Sequence, residues 1–458
     1  SSHVNQFVEA NDGLGRARIT RFVSNTSVEA IVEIPFFNTS AIASGSTFLE
    51  SGYEVTWSGS KGYPRTTTFH EGRLYFGGAK SRPNTVFASR VGRFFDFNPG
   101  EGLDDDSIEV TLATDNTNAI VGMFSGRDLQ IFTKGGEFFL PQSSLDPITP
   151  SNVVINGATR RGAKEGIKPV GAESGTLFIQ RAGKALREFL FSDVELSYIS
   201  NNISLLSSHL LKNPTDMALR KATSTTDGDL LLLVNATDGS LATYSILRGQ
   251  NVIAPSLSTT DGTFEKVGVD VDQIYFVVKR TISSSTKYYV EGFNDDNTTD
   301  SSKLFSGGSK PSTTTVTGLS HLEGKTVKVI ADDSMQNDKT VSSGQITLDA
   351  VPTTYVEIGL DYTPEVKTLP VELKLSSGNI VAQKKRIIEA TCNLYLSQNL
   401  TLNGKDFLFT VGSGQFFTGK KRRKPMLGFD REGQMTFSQS SPLFFTLLGV
   451  EYKVSVGQ

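Results

Sequence analysis

The chain is poor in the residues that carry reactive chemistry, with one cysteine, one tryptophan and four histidines among 458 residues. A single thiol, Cys392, allows no intrachain disulfide and suits synthesis in a reducing cytoplasm. It sits in the alternating run Ile387-Ile-Glu-Ala-Thr-Cys-Asn-Leu-Tyr-Leu396, whose period of two predicts a buried strand residue, and nothing near it in sequence lowers a thiol pKa. His3, His70, His209 and His321 are scattered, with no HExxH and no pair at metal-ligand spacing; His70 and His321 read as turn or packing residues. No segment has the apolar length to span a bilayer, and no charged segment followed by an apolar one opens the chain. Long 3.6-period apolar stretches are nearly absent, and the only predicted helical pieces lie around Asp193 to Leu211 and near Pro214 to Arg220. The formal net charge of -3 argues against a dedicated duplex-DNA binder, since such proteins owe most of their affinity to Lys and Arg neutralising phosphates. It suits a surface that DNA slides past.

What the chain has instead is glycine, 43 residues of it, and a repeated hairpin. Leu74 to Phe76 reads as a strand, Gly77-Gly78 and Ser81-Arg-Pro-Asn84 as its turn, and Thr85 to Ser89 as the return strand. The pattern recurs at Arg127-Asp-Leu-Gln-Ile-Phe132, Gly175-Thr-Leu-Phe-Ile179, Gly228-Asp-Leu-Leu-Leu-Leu-Val234 and Asp272-Gln-Ile-Tyr-Phe-Val277. The unit returns about every 45 to 55 residues, the period of a four-stranded propeller blade, with a sandwich or large barrel as the competing reading.

The predicted fold class is all-β, a β-propeller-like domain interrupted by a small β-barrel or sandwich insertion. Residues 1–61 hold N-terminal strands that include Ala17 to Val23, Thr26 to Ile34 and the Glu54-Val-Thr-Trp57 edge, and residues 62–305 hold the blades. Ser306-Gly-Gly-Ser-Lys-Pro-Ser-Thr-Thr-Thr315 has the composition of a linker. Residues 316–376 then form a small domain with strands at Thr326 to Ile330, Gln345 to Leu348, Thr354 to Ile358 and Val371 to Leu375. In residues 380–458 longer strands resume, and they are expected to pair with earlier ones and close the propeller. The chain begins without Met, at Ser1, and is expected to be the later part of a longer polypeptide.

Several segments in order resemble the tail nozzle, or tail tubular protein B, family of short-tailed bacteriophages. They are Gly62-Tyr-Pro-Arg-Thr-Thr-Thr-Phe-His-Glu-Gly-Arg-Leu-Tyr-Phe-Gly-Gly78, Pro83-Asn-Thr-Val-Phe-Ala-Ser89, Phe94-Phe-Asp-Phe97, Lys384-Lys-Arg-Ile387 and Asp430-Arg-Glu-Gly-Gln-Met-Thr-Phe-Ser-Gln-Ser-Ser-Pro-Leu443. Gly318-Leu-Ser-His-Leu-Glu-Gly-Lys-Thr-Val-Lys-Val329 with Gly359-Leu-Asp-Tyr362 resembles a small β domain (FCCH) of ubiquitin-activating enzymes. The resemblance covers most of the chain from about Arg16, and the family's amino-terminal region, which docks toward the tail adaptor, is expected to be missing from it. It implies a structural virion protein, six copies of which ring the distal end of a short tail. Tail fibres are further possible partners, and DNA passes the central channel without specific binding.

The residues themselves assign no catalytic, cofactor or metal site. There is no Gly-x-Ser-x-Gly elbow or phosphate loop, Gly13-Leu-Gly15 lacks the later glycine of a dinucleotide motif, and the Ser-x-Asp-x-Gly-x-Thr-Trp turn of propeller sialidases is absent. Asn294 to Asp300 and Asp104 to Asp106 are acidic loops that offer oxygen ligands to calcium or simply face water. Lys420, Lys421, Arg422, Arg423 and Lys424 form the sharpest charge cluster, expected on an exposed loop or a patch for an acidic partner or anion. Phe94, Phe95, Phe97, Phe138, Phe139, Phe416, Phe417, Phe444 and Phe445 read as inter-blade core, with base stacking as the alternative. A carbohydrate-binding propeller and a glycan-cleaving enzyme stand as rival functions. The first requires exposed aromatics around a concave site, the second paired carboxylates.

Overall fold

A strand with no polar gap, such as Leu230-Leu-Leu-Leu-Val234, has to bury both of its faces. Leu231 and Leu233 join Leu177, Ile179 and Leu186 on one side, while Leu232 and Val234 join Ile274, Phe276 and Val278 on the other. That two-sided burial is how successive sheets stack here. The computed structural model describes all residues except 1–6, 11–14, 37–46, 50–55, 100–101, 115–117, 142–146, 174, 225–226, 373, 376–377, 380–382, 410–411, 413, 425–427 and 457–458. His3, Gly13-Leu14 and Glu54-Val55 lie outside the described residues.

The chain divides into two units, Ser1–Ile120 with Thr149–Ser151, and Val121–Ile148 with Asn152–Gln458. In the first, Phe7–Ala10, Gly15–Ser24, Ser27–Ile34 and Thr47–Leu49 form one antiparallel sheet with Ser27–Ile34 at its edge. Blade 1 follows as the meander Thr66–His70, Arg73–Gly77, Thr85–Ala88 and Ile108–Thr111, so the hairpin expected from Leu74 to Ser89 is present.

In the second unit, but for its first residue Ile120, blade 2 comprises Ile120–Ser125, Leu129–Thr133, Glu137–Leu140 and Asn156–Thr159. Blade 3 comprises Val170–Gly171, Thr176–Ile179, Leu186–Ser192 and Ser197–Asn202, and blade 4 Pro214–Arg220, Asp229–Asn235, Leu241–Leu247 and Val252–Ser258. Blade 5 has three strands, Thr263–Asp270, Gln273–Ile282 and Ser285–Gly292. Each sheet runs in sequence order, which is the propeller-blade meander. The helical expectation fails at both places. Pro214–Arg220 pairs along its length with Asp229–Asn235, and 193–211 contains the strand Ser197–Asn202 and one 3-10 turn, Ser208–Leu210. The ladder satisfies the backbone groups that a helix would, and it also buries Met217, so tertiary pairing overrides local propensity.

The small domain begins before the expected linker. Asp300–Ser306 pairs with Tyr355–Leu360, which in turn pairs with Thr326–Ala331, and Phe305 sits in the same core as Val316, Val329 and Ile358. The Gly/Ser segment is therefore internal: Gly307–Ser309 is a 3-10 turn closed by Ser306 and Ser309, whose backbone and hydroxyl groups bond each other at 3.1 and 2.8 Å. Of the expected strand Val371 to Leu375, the described residues lie outside this domain, with Val371 packed against the C-terminal core. The described strand Lys374–Leu375 pairs with Gly378–Asn379.

The C-terminal strands pair with one another. Lys385–Ser397 is bonded on one side to Phe417–Arg423 and on the other to Thr446–Val456, and Thr436–Ser438 to Glu365–Lys367 and Thr401–Leu402. Among the described residues no strand after Glu365 pairs with a blade, so the expected closure by strand pairing is not observed. Ile387, Ala390, Cys392 and Leu394 bury one face of the long strand against Leu400, Leu402, Met435 and Phe437, a separate core that leaves these strands no need of a blade edge. Among the described residues no helix is long and apolar enough to cross a membrane.

Candidate functional site

Lys420 to Arg423 lie in the strand Phe417–Arg423, not in a loop, with Lys424 just past its end, and alternation divides them between two faces. Lys421 and Arg423 point inward. The Lys421 ammonium lies 4.5 Å from the Phe417 ring centroid and donates to the Leu408 carbonyl at 2.6 Å, while Arg423 covers Phe407 and donates to the Asp406 carbonyl. Lys420 and Arg422 point outward, toward carboxylates on neighbouring strands: Lys420 meets Glu451 at 2.6 Å and Arg422 meets Glu389 at 3.4 Å. The hydrogen bond from Lys420 holds the Glu451 carboxyl below its ordinary pKa. Two of the five cations thus cap aromatic side chains and two are paired, which leaves Lys424 as the exposed charge without a partner among the described residues. A five-fold basic patch is not what this strand presents.

The other sequence candidates are structural in their surroundings. Cys392 is fully buried, and burial pushes its thiol up to about 11. His70 is buried and edge-on to Tyr75, and His321 sits in a 3-10 turn with Nε2 3.2 Å from the Ser301 carbonyl, where burial lowers its pKa. His209 is exposed on the 3-10 turn Ser208–Leu210. The Asp104 to Asp106 loop is held by its own chain: the Asp106 carboxylate accepts from the Gly102 and Leu103 amides at 2.9 Å, and Arg73 donates to the Asp104 and Ser89 carbonyls. In the other acidic loop Asp295 and Asp300 face Arg220 and Arg280. Among the described residues no three His, Cys, Asp or Glu side chains are grouped as metal ligands.

Of the phenylalanines, Phe139 is buried between blades 2 and 3, whereas Phe417 and Phe445 pack on the C-terminal core. Phe95 is 92% exposed, so the inter-blade reading does not hold for it; it lies in the long connection between the third and fourth strands of blade 1. Trp57 is enclosed edge-on by Phe76, Phe87 and Phe97 at 5.2, 5.4 and 5.6 Å, the setting of a packing residue and not of a sugar platform.

A second cationic surface was hidden by its spacing in sequence. In a meander, the turn between the second and third strands lies at the same end as the connection to the next blade. In blades 2 and 3 these include residues 133–137, 160–168 and 180–187, bearing eight cations (Lys134, Arg160, Arg161, Lys164, Lys168, Arg181, Lys184 and Arg187) and two carboxylates (Glu137 and Glu165). The backbone ties them together: Ala163 N donates to the Thr133 carbonyl at 2.8 Å, Lys164 N to Ile179 at 2.8 Å and Arg181 N to Gly162 at 2.9 Å. Gly162 makes this close approach possible. Its φ is +73°, and a Cβ there would stand 2.2 Å from the Lys134 carbonyl oxygen. Glu165 pairs with Lys134 at 2.6 Å, and Glu137 is buried, with a pKa raised by burial against the hydrogen bonds it accepts. Arg160, Arg161, Lys168 and Lys184 are exposed and have no carboxylate partner among the described residues. Arg187 is lowered in pKa by burial and then by the like charge of Arg161. The turns at the opposite end, 126–128, 172–175 and 193–196, carry Arg127 against Asp128, Glu173, Asp193 and Glu195. Summing charge over alternate turns would have found this; reading contiguous runs did not.

No protein-family model matches the chain, and no curated protein matches it. Solved structures align over much of its length. An exo-β-1,3-galactanase from Phanerochaete chrysosporium aligns at 8% identity and TM-score 0.25, over 87% of this chain and 96% of its own. A protein from Lactobacillus plantarum aligns at 9% and 0.32, over 77% and 99%. A candidate 6-phosphogluconolactonase from Bacteroides fragilis aligns at 9% and 0.30, over 63% and 86%. At these values nothing of their activities transfers to this chain; its own strand order establishes an all-β fold of propeller-like blades.

Proposed function

We propose that this chain is a structural, non-enzymatic subunit of a short bacteriophage tail, which assembles into a ring around the channel through which the genome leaves. The ordered resemblance to the nozzle family supplies the context, and six copies, contact with an adaptor and a place in the virion come with it. One observation carries the self-association: two apolar sheet edges have no strand paired to them among the described residues. Ser27–Ile34 is bonded on one side alone and exposes Val28, Ile31 and Val32, at 43, 53 and 55%. Blade 5 has no fourth strand among the described residues, and its edge strand exposes Tyr288 and Val290 at 63 and 75%. Free edges with apolar side chains are association surfaces, and a ring requires two unlike patches on each copy.

The purified chain, 49.6 kDa, is expected to give a multiple of that mass by native mass spectrometry. The double substitution Tyr288→Lys and Val290→Lys is expected to return it toward the monomer without speeding hydrogen exchange in the other blades. Immunogold labelling of virions should mark the tip of the tail. A chain that stays monomeric at high concentration, or label over the capsid shell, rejects the reading.

A further inference from the structure

We propose that the cationic end of blades 2 and 3 binds the phosphodiester backbone of nucleic acid without reading its sequence. The net charge of -3 conceals this surface, because it averages the basic end of these two blades with the acidic turns at their other end. What an approaching polyanion meets is the local field.

The chemistry favours phosphate. Four of the cations are arginines, whose planar forks match phosphate oxygens bidentately. Two of these are already oriented: Arg181 donates to the Lys134 carbonyl at 3.2 Å, and Arg187 to Gln180 Oε1 at 2.8 Å and the Ser200 carbonyl at 3.1 Å. Each retains further N–H donors, so less side-chain freedom is lost on binding. The three segments contain no aromatic residue on which a base would stack. Binding through the backbone alone is therefore sequence-independent and steeply weakened by salt. The outward face of the strand Phe417–Arg423 makes a poorer site, since Lys420 and Arg422 already have carboxylate partners.

The inference stands on local charge and does not require ring assembly, so either can fail alone. The test is fluorescence anisotropy of a mixed-sequence DNA duplex with the full chain across a salt series. Nonspecific dissociation constants of ~10⁻⁴ to 10⁻⁶ M are expected at physiological salt, equal for unrelated sequences. The triple substitution Arg160→Ala, Arg161→Ala and Lys184→Ala, all exposed, is expected to weaken binding at least tenfold. It should also make the slope of log K against log salt shallower by up to about 0.9 for each phosphate that is no longer neutralised. Lys420→Ala with Arg422→Ala should leave both unchanged. No binding at low salt, equal binding by the triple variant, loss of binding in the strand variant, or capture of a sulfated polysaccharide with no duplex bound would each overturn the assignment.

Discussion

Phe189→Ala is expected to destabilise blade 3 by about 3–5 kcal/mol, the range for deleting a fully buried phenylalanine. Phe189 is completely buried where blades 2 and 3 meet. Its ring stacks on Tyr198 at 4.6 Å and 9°, and stands edge-on to Phe132 at 5.5 Å and Phe178 at 6.5 Å. Removing it opens a cavity and abolishes these three ring pairings, each worth about 0.5–1.5 kcal/mol beyond the area buried. Tyr198 cannot simply move into the gap, because its hydroxyl donates to Asp128 Oδ2 at 2.8 Å and fixes the ring. A chain with several cores need not unfold in one step, so a single melting temperature is the wrong measure. Hydrogen exchange of 176–202 reads the local opening energy directly, and amides there should exchange about 10²- to 10³·⁵-fold faster, at 1.4 kcal/mol per decade. Phe95→Ala, at an exposed position, should leave exchange unchanged. A change below about 1 kcal/mol in the buried variant would mean that blades 2 and 3 do not share a core.

The blades were legible in sequence because each needs the same two things, a short apolar strand and a turn with a glycine or an aspartate. Leu129 to Phe132, Leu177 to Ile179 and Leu230 to Val234 meet both conditions, and each is the second strand of its sheet. Pairing partners were not legible. The alternation of Lys385 to Leu396 announces a strand with one buried face, but any neighbour with a matching face would serve, and the partners proved to be Phe417–Arg423 and Thr446–Val456. Gly307-Gly-Ser309 failed for a related reason: the composition that frees a linker also builds a capped turn. The basic run at Lys420 drew attention because it is contiguous, yet a strand splits contiguous residues between faces, whereas the turns of two blades bring Arg160, Arg161, Arg181 and Arg187 together from separate segments. Contiguity in sequence and proximity in a meander are close to opposite criteria.

Glu357 gives the small domain a pH dependence whose sign can be fixed in advance. Its side chain is almost fully buried, and it accepts from the Thr298 and Thr299 amides at 2.9 and 2.7 Å and from the Thr299 hydroxyl at 2.5 Å. Burial raises its pKa, and the threonine hydrogen bonds offset this in part. A carboxyl raised in the folded state holds its proton where the unfolded chain has lost it. Its contribution is therefore full below the ordinary carboxylate pKa and declines as pH rises from there through the raised value. Asp332, in the same domain, runs the other way. Burial alone would raise it, but the Thr353, Thr354 and Tyr355 amides and the Thr353 hydroxyl hold it at about 2, so its contribution is present above the ordinary value of 3.8 and is lost as pH falls toward 2. Glu357→Gln keeps an acceptor for the two amides and removes the titration. Relative to the parent, it should be more stable at pH 7 than at pH 4, with the acid-side loss due to Asp332 unchanged. Glu357→Ala instead orphans both amides in a dry core, at about 1–3 kcal/mol each, and should cost about 2–6 kcal/mol by denaturant unfolding followed through exchange of 300–360. If the Gln variant keeps the parent's slope between pH 4 and 7, the buried carboxyl is not the titrating group, and the slope belongs to another side chain of the domain.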